Sequence, residues 1–264
     1  MGFLQFAEMH GLVISSLIMD RWVRVPTHDK PSKKNGAYIF DGISGAVRNW
    51  AVHDKALSWR SQEPYRPDPL AQAKKEKQIK DRLERQAKAQ KKAGFILQSA
   101  IKTTHPYLKS KGFDDKGYVW NGLLVIPMRV HGDLVGCQLI AQDGTKRFLT
   151  GQVTKGASLK IDNKGRDILC EGYATGLSVR RAMRELKERY TIHICFSASN
   201  MLEIAKQCPS AIVIADNDKS GTGLRTAKKI GDRYWISDVV GEDANDYEQR
   251  LGTSALAQSL LKVL

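Results

Sequence analysis

From residue 167 to residue 231 the chain reads DILCEGYATGLSVRRAMRELKERYTIHICFSASNMLEIAKQCPSAIVIADNDKSGTGLRTAKKIG. DILC, TIHICFSA and SAIVIAD are short, apolar and rich in β-branched residues, the pattern of buried strands. ATGLSVRRAMRELKER, NMLEIAKQC and GLRTAKKIG carry good helix formers between and after them. The alternation continues through YWISDVV, ANDYEQRL and SALAQSLLKVL to Leu264, with Thr253 or Ser254 able to cap the last helix. Strands alternating with helices predict an α/β fold, a mostly parallel sheet with flanking helices over residues 165–264.

In an open α/β sheet the ligand site lies outside the carboxyl ends of the strands. Acidic residues collect there. Glu171 follows DILC, Asp216 and Asp218 follow SAIVIA, and Asp243 and Asp246 follow the final strand in GEDANDY. Carboxylates gathered at one edge repel one another unless a cation or a proton lies between them. In an extended segment residues i and i+2 share a side, so Asp216 and Asp218 can reach one metal or bracket two. An all-oxygen set favours Mg²⁺ or Mn²⁺ over zinc. Gly221 and Gly223 make the next loop permissive for close approach of phosphate to a helix start. Plainer readings stand beside these: Glu171 as an acid favoured by a helix dipole, Asp243 or Asp246 as an N-cap for ANDYEQRL, Lys146 as a solvated turn residue.

Upstream, residues 116–164 read as an antiparallel meander. YVWNGLLVIPMRV turns at His131-Gly132-Asp133 into LVGCQLIA, which turns at Asp143-Gly144 into KRFLTG. Pro127 argues for an edge or bulged position in the first run. Residues 66–115 form a basic helical linker. Positions 74–92 hold nine Lys or Arg against three Asp or Glu, with Ile79, Leu83 and Ala87 as a narrow apolar stripe. Gly94 is expected to interrupt this helix before a second one from Phe95 to Lys102, and Pro64, Pro67 and Pro69 mark the break before it. Residues 1–65 form a small α+β region. Leu12–Met19 reads as a short helix or strand, RWVRV as a strand, and GAYIFDG with GAVRNWAV as a small antiparallel sheet. Trp22, Tyr38, Phe40, Trp50 and Trp59 supply either a core or a base-stacking platform beside Arg24, Lys33, Lys34 and Arg48.

The 264 residues carry 42 Lys plus Arg against 28 Asp plus Glu, a net charge of +14. With 42% hydrophobic and 27% charged residues the chain is neither mainly disordered nor embedded in a membrane. The charge favours a polyanionic partner such as nucleic acid. No membrane-spanning run or cleavable leader is read, so a cytoplasmic protein with no membrane partner is expected. Cys137, Cys170, Cys195 and Cys208 form no CxxC pair, and the six histidines are scattered. No zinc is expected, either in a ribbon or in a composite site.

Taken together, Glu171-Gly172, Asp216-Asn217-Asp218 with Gly221, and Glu242-Asp243-Ala244-Asn245-Asp246 resemble the three acidic blocks of a TOPRIM domain. Bacterial-type primases, type IA and II topoisomerases and some nucleases share that domain. The primase branch is the nearer likeness. HPYLKSKGF is similar to its YLxxRG element, with Lys111 where Arg is usual, and residues 122–151 resemble the stretch just before TOPRIM. Residues 10–60 are loosely similar to the start of phage- and plasmid-encoded primase-like proteins. The resemblance implies Glu171 as the metal-linked acid or base, Asp216 and Asp218 as metal ligands, and Asp243 with Asp246 as the last acidic pair. It implies Lys146 and Arg147 as the basic position that contacts template or nucleotide. The zinc ribbon and helicase domain usual in the family have no counterpart, so start-site selection and unwinding are not expected of this chain alone.

The expected activity is therefore that of a primase-type DNA-directed RNA polymerase. It would make short primers from ribonucleoside triphosphates on single-stranded DNA with two Mg²⁺ or Mn²⁺ ions. Arg129, Arg147 and Arg225 are candidates for pairing with phosphates. A replicative helicase or a separate template-recognition protein is a possible partner. Two other classes stay open: a non-catalytic single-stranded-DNA-binding accessory protein, and a metal-dependent nuclease using the same carboxylates.

Overall fold

The computed structural model describes residues 1–61 and 69–264, so the expected break at Pro64 and Pro67 lies outside the described residues. The chain forms two compact units, Met1–Glu76 and Lys77–Leu264.

The first unit contains helix α1 (Phe3–Met9) and an antiparallel sheet of β1 (Val23–Val25), β2 (Gly36–Phe40), β3 (Ser44–Asn49) and β4 (Leu57–Arg60), paired in chain order. Phe3 anchors its core. The ring stacks on Phe40 at 4.5 Å and meets the edge of Trp59 at 5.6 Å. Gly45 makes this packing possible, because a Cβ there would lie 2.4 Å from the Phe3 ring. Tyr38, Phe40 and Trp59 thus serve the core, whereas Trp22 and Trp50 are exposed. Leu12–Met19 forms neither the helix nor the strand expected of it. Tyr38 satisfies its backbone instead, accepting from Ile18 N and donating to Ser16 O.

Helix α2 (Pro69–Ser99), which belongs to the second unit from Lys77 onward, runs through Gly94 without a break. A mid-helix glycine costs only about 1 kcal/mol, which a packed seam offsets. That seam is Ala89, Ala93 and Ile96 against Val125, Cys137, Leu139 and Leu149. Ile79 and Leu83 of the expected stripe are exposed, and Lys102 lies in a strand rather than a helix. That strand, β5 (Ile101–Thr103), starts a second antiparallel sheet. After α3 (Pro106–Ser110) come β6 (Gly117–Trp120), β7 (Leu123–Val130), β8 (Asp133–Ile140) and β9 (Lys146–Phe148), with the strands again paired in chain order. Asn121-Gly122 and His131-Gly132 turn the hairpins with positive φ at both residues, as tight hairpin turns require. Pro127 lies in a central strand, not at an edge, and a register shift follows at Met128/Arg129.

The third sheet has the order β10-β12-β11-β13-β14. Its elements are β10 (Leu159–Asp162), β11 (Arg166–Cys170), α4 (Tyr173–Glu185), β12 (Tyr190–Ile194), α5 (Ala198–Ala205), β13 (Ile212–Ala215), α6 (Thr222–Ile230), β14 (Tyr234–Ile236), α7 (Ala244–Leu251) and α8 (Thr253–Leu260). The expected mostly parallel sheet is corrected. Of the three sheets among the described residues two are antiparallel throughout, and this one is mixed, because β10 pairs antiparallel with β12 while β11, β12, β13 and β14 pair parallel. LKID at 159–162 precedes the strand–helix alternation and was not read as a strand of this sheet. A tight connection, with Lys164 at positive φ and Gly165 packed against the Arg189–Tyr190 backbone, sends the chain from β10 past β12 into β11. Helices α4, α7 and α8 cover one face and α5 and α6 the other. Gly252, not Thr253 or Ser254, is the N-cap residue of α8. Tyr107, Leu108, Leu124, Ile126, Ala174 and Leu177 join the antiparallel sheet to α4. Each such fully buried large side chain contributes about 1.5–3 kcal/mol, enough to fix the two sheets' relative position.

Candidate active site

Strands β11 and β13 are parallel neighbours, so the residues that follow them emerge at one edge. Glu171 follows β11 and Asp216 follows β13. The loop after Asp216 is held tightly. Asp218 accepts from Thr222 N at 3.1 Å, from Gly223 N at 2.7 Å and from the Ser220 hydroxyl. These bonds hold its carboxyl at about 2. Gly223 permits the turn, since a Cβ there would lie 2.1 Å from Asp216 O. Arg225 folds back over the loop, donating to Ser220 O and Thr222 Oγ1.

Asn217 ties in the third acidic segment. Its N–H donates to Glu242 O, its carbonyl accepts from Gly241 N, and its Nδ2 donates to Ser237 O. Asp243 is the N-cap of α7, with Oδ1 accepting from Asn245 N and Asp246 N; Thr175 Oγ1 donates to its Oδ2 at 3.1 Å. Asp246 completes the capping box through Oδ2 and pairs with Lys111 at 3.4 Å through Oδ1. Lys111 is the residue at the Arg position of the YLxxRG-like element. Glu242 is bound to Arg250 and Ser237.

Asp216 lies at the centre. Burial raises its carboxyl to about 7, and the charges of Asp243, Glu171 and Asp218 push the same way against Lys146. Its Oδ1 is buried with no hydrogen-bond partner among the described residues. Burial also raises Glu171, whose carboxylate is steadied by Lys146 and by the Ala198 N–H at the start of α5. The structure thus brings Glu171, Asp216, Asp218, Asp243 and Lys146 into one electrostatic cluster. An orphaned carboxylate oxygen among three further carboxylates fits a hard divalent cation. Arg147, one residue beyond Lys146, acts on Asp143 instead. Arg129 is exposed and donates to Gly132 O. Sequence reasoning did not foresee Thr175 or Asn245, although both lie beside the acidic motifs. Buried Asn245 donates to Lys111 O and Ser178 Oγ.

A second group of ligand atoms lies on the α5 face of the same sheet. Asp167, His193 and Cys208 place one donor atom each within 4.8 Å of one another and could hold a metal ion. Scattered in sequence, they gave no spacing signal.

No family model matches the chain. Two solved structures are similar to it at a distance. One is bacteriophage T7 lagging-strand DNA polymerase interacting with the primase domains of two gp4 subunits bound to an RNA/DNA hybrid and dTTP. The match has 14% identity and a TM-score of 0.41, covering 61% of this chain and 92% of that one. The other is the primase fragment of the T7 primase-helicase protein, at 14% identity and TM-score 0.41, covering 59% and 69%. No described helix is long and apolar enough to cross a membrane.

Proposed function

We propose that the chain is a primase-like nucleotidyltransferase that joins ribonucleotides on a single-stranded DNA template. One observation carries the reading: the buried, unpartnered Oδ1 of Asp216 among Glu171, Asp218 and Asp243, with Lys146 as the facing cation. Asp216, Glu171 and Asp243 would hold divalent ions, Mg²⁺ or Mn²⁺, with Asp218 beside them. When bound, two such ions supply charge neutralisation at a phosphoryl group and an acidified hydroxyl. Glu171, raised by burial, is suited to accept the proton of an attacking 3′-hydroxyl. Lys146 is exposed, and its ammonium, a point charge on a flexible stem, would pair with the phosphates of an incoming triphosphate. Asp218 and Arg225 keep the glycine loop in shape. Asp246 with Lys111 and Asn245 hold the α7 start in place, a positioning role. The basic face of α2 supplies charge for the template strand. A helicase or a template-recognition protein fits as a partner in such a reaction.

The test is primer synthesis by the purified chain with single-stranded DNA, labelled ribonucleotides and Mg²⁺ or Mn²⁺. The expected result is short labelled oligomers from the wild type and none from Asp216→Asn. Shortened template DNA in place of oligomers would instead assign the same carboxylates to hydrolysis. Intact, retarded DNA with no product under either metal would sink the catalytic reading for the isolated chain.

A further inference from the structure

Asp167 and His193 face the α5 side of the third sheet from the neighbouring strands β11 and β12, and Cys208 approaches them from just beyond α5. His193 Nε2 lies 2.8 Å from Asp167 Oδ1 and 3.9 Å from Cys208 Sγ. His193 and Cys208 are buried, and the Asp167 carboxylate is open to solvent on one side. Three different donor types thus converge around one ring nitrogen, with an approach from water. From these contacts we infer that Asp167, His193 and Cys208 form a second metal site, one that takes zinc or a similar borderline ion with water as fourth ligand.

The donor set decides the ion. A thiolate and an imidazole suit Zn²⁺, whereas Mg²⁺ and Mn²⁺ prefer oxygen alone. Asp167, neutral His193 and thiolate Cys208 together carry two negative charges, which one Zn²⁺ balances. Lys160 is the cross-strand neighbour of His193; burial and the Asp167 charge raise the Cys208 thiol against it, so the ion itself must displace the thiol proton on binding. Binding leaves oxidation states unchanged: the thiol gives its proton to solvent, and the neutral imidazole binds through Nε2 as its Nδ1–H tautomer. Zn–S near 2.3 Å and Zn–N and Zn–O near 2.0 Å in a tetrahedral shell require side-chain rotations that open the 2.8 Å contact of His193 with Asp167 and close its 3.9 Å contact with Cys208. The site is separate from the carboxylate cluster. Asp167 precedes Glu171 by four residues of extended chain, roughly 13 Å at 3.3 Å per residue. Its presence or absence therefore does not depend on the proposed polymerase reading.

The untagged full chain would be stripped with chelator, supplied with excess Mg²⁺ to occupy the all-oxygen site, and titrated anaerobically with Co²⁺ and then Zn²⁺. The expected result is one Co²⁺ per chain with a thiolate-to-metal charge-transfer band that Zn²⁺ removes. Cys208→Ser should abolish the band and Asp167→Asn should weaken Co²⁺ binding at least tenfold, with unchanged circular dichroism. No band in the folded wild type overturns the proposal, and so does a band that survives in Cys208→Ser. X-ray absorption at the zinc edge of the wild-type chain decides the matter without any variant. One sulfur among nitrogen and oxygen ligands supports the site, and an all-oxygen shell refutes it.

Discussion

Replacing Asp216 by Asn should stabilise the metal-free protein while removing its activity. The carboxyl is raised from 3.8 to about 7, first by burial and then by Asp243 and Glu171. The folded chain therefore holds a proton that the unfolded chain has released. Between about pH 4 and pH 7 the stability of the metal-free protein falls as pH rises, and the loss is complete above the folded value. A rise of about three pH units at 1.36 kcal/mol each sets a ceiling near 4 kcal/mol. Solvent reaches one side of Asp216, and four carboxylates share the repulsion, so about 1–2 kcal/mol is expected at pH 8. Asn keeps the shape and removes the charge. With a urea slope of about 2 kcal/mol/M the midpoint should rise by roughly 0.5–1 M at pH 8 in chelator. At about pH 3 the carboxyl is protonated in the folded and the unfolded chain alike, and the two proteins should unfold together. Mg²⁺ should raise the wild-type midpoint and leave that of the variant unmoved. A variant no more stable than wild type at pH 8, or a gain equal at both pH values, would refute the assignment of Asp216 as a destabilised, cation-seeking carboxylate.

The other predictions concern the groups around it. Gly223→Ala forces a Cβ into Asp216 O and should abolish Mg²⁺ binding, measured by calorimetry, with a loss of several kcal/mol in stability. Lys146→Met removes the cation that holds Glu171 down; the acidic limb of the pH–rate profile should move up, and KM for nucleotide should rise at least tenfold. Asn217→Ala loses the bond to Ser237 O, should cost about 1 kcal/mol, and should speed amide exchange in residues 239–243. Phe3→Ala empties the first unit's core and should lower that unit's stability by about 3–5 kcal/mol, read from the Trp59 environment.

The acidic edge was legible because its signal is local. An apolar strand that ends in Glu171 or Asp216 says where the carboxylate emerges, whatever lies elsewhere in the chain. The meander was legible for the same reason where His131-Gly132 declares its turn, whereas the turn at Asn121-Gly122 was passed over inside one apolar run that folds as two strands. What was lost depended on distance. The antiparallel pairing of LKID with β12 follows from where residues 163–165 turn, and nothing in four alternating residues states a direction. Gly94 was read from propensity, yet the seam of Ala89, Ala93 and Ile96 outweighs one glycine. Asp167 and His193, 26 positions apart, meet only through strand pairing, and Cys208, 15 positions further on, reaches them from beyond α5. The contrast between Lys146 and Arg147 was readable in principle. Adjacent residues of a strand face opposite sides, and only Lys146 acts on Glu171 and Asp216.

The two aspartates of the DND loop, identical in type and two residues apart, have been given opposite electrostatic roles. Asp218 receives two backbone N–H groups and a hydroxyl, which lower its carboxyl to about 2 and use its charge to fix the start of α6. Asp216 receives nothing at Oδ1 from the described residues and is raised to about 7. Substitution by Asn should therefore act in opposite directions at the two positions. The Asp218 contribution is present above pH 3.8 and disappears as pH falls through about 2, because its folded value lies below the unfolded one. Solvent screening at this half-exposed site reduces the difference to about 1 kcal/mol, so Asp218→Asn should lose about that much at pH 8 where Asp216→Asn gains. Both variants should lose activity, one through a loosened loop and the other through a missing ligand. Mg²⁺ separates the two causes: Asp218→Asn should still be stabilised by the ion at higher concentration, and Asp216→Asn should not. Equal destabilisation of the two variants, or equal response to Mg²⁺, would show that the loop treats its aspartates alike, and the division of labour argued from their hydrogen bonds would fall.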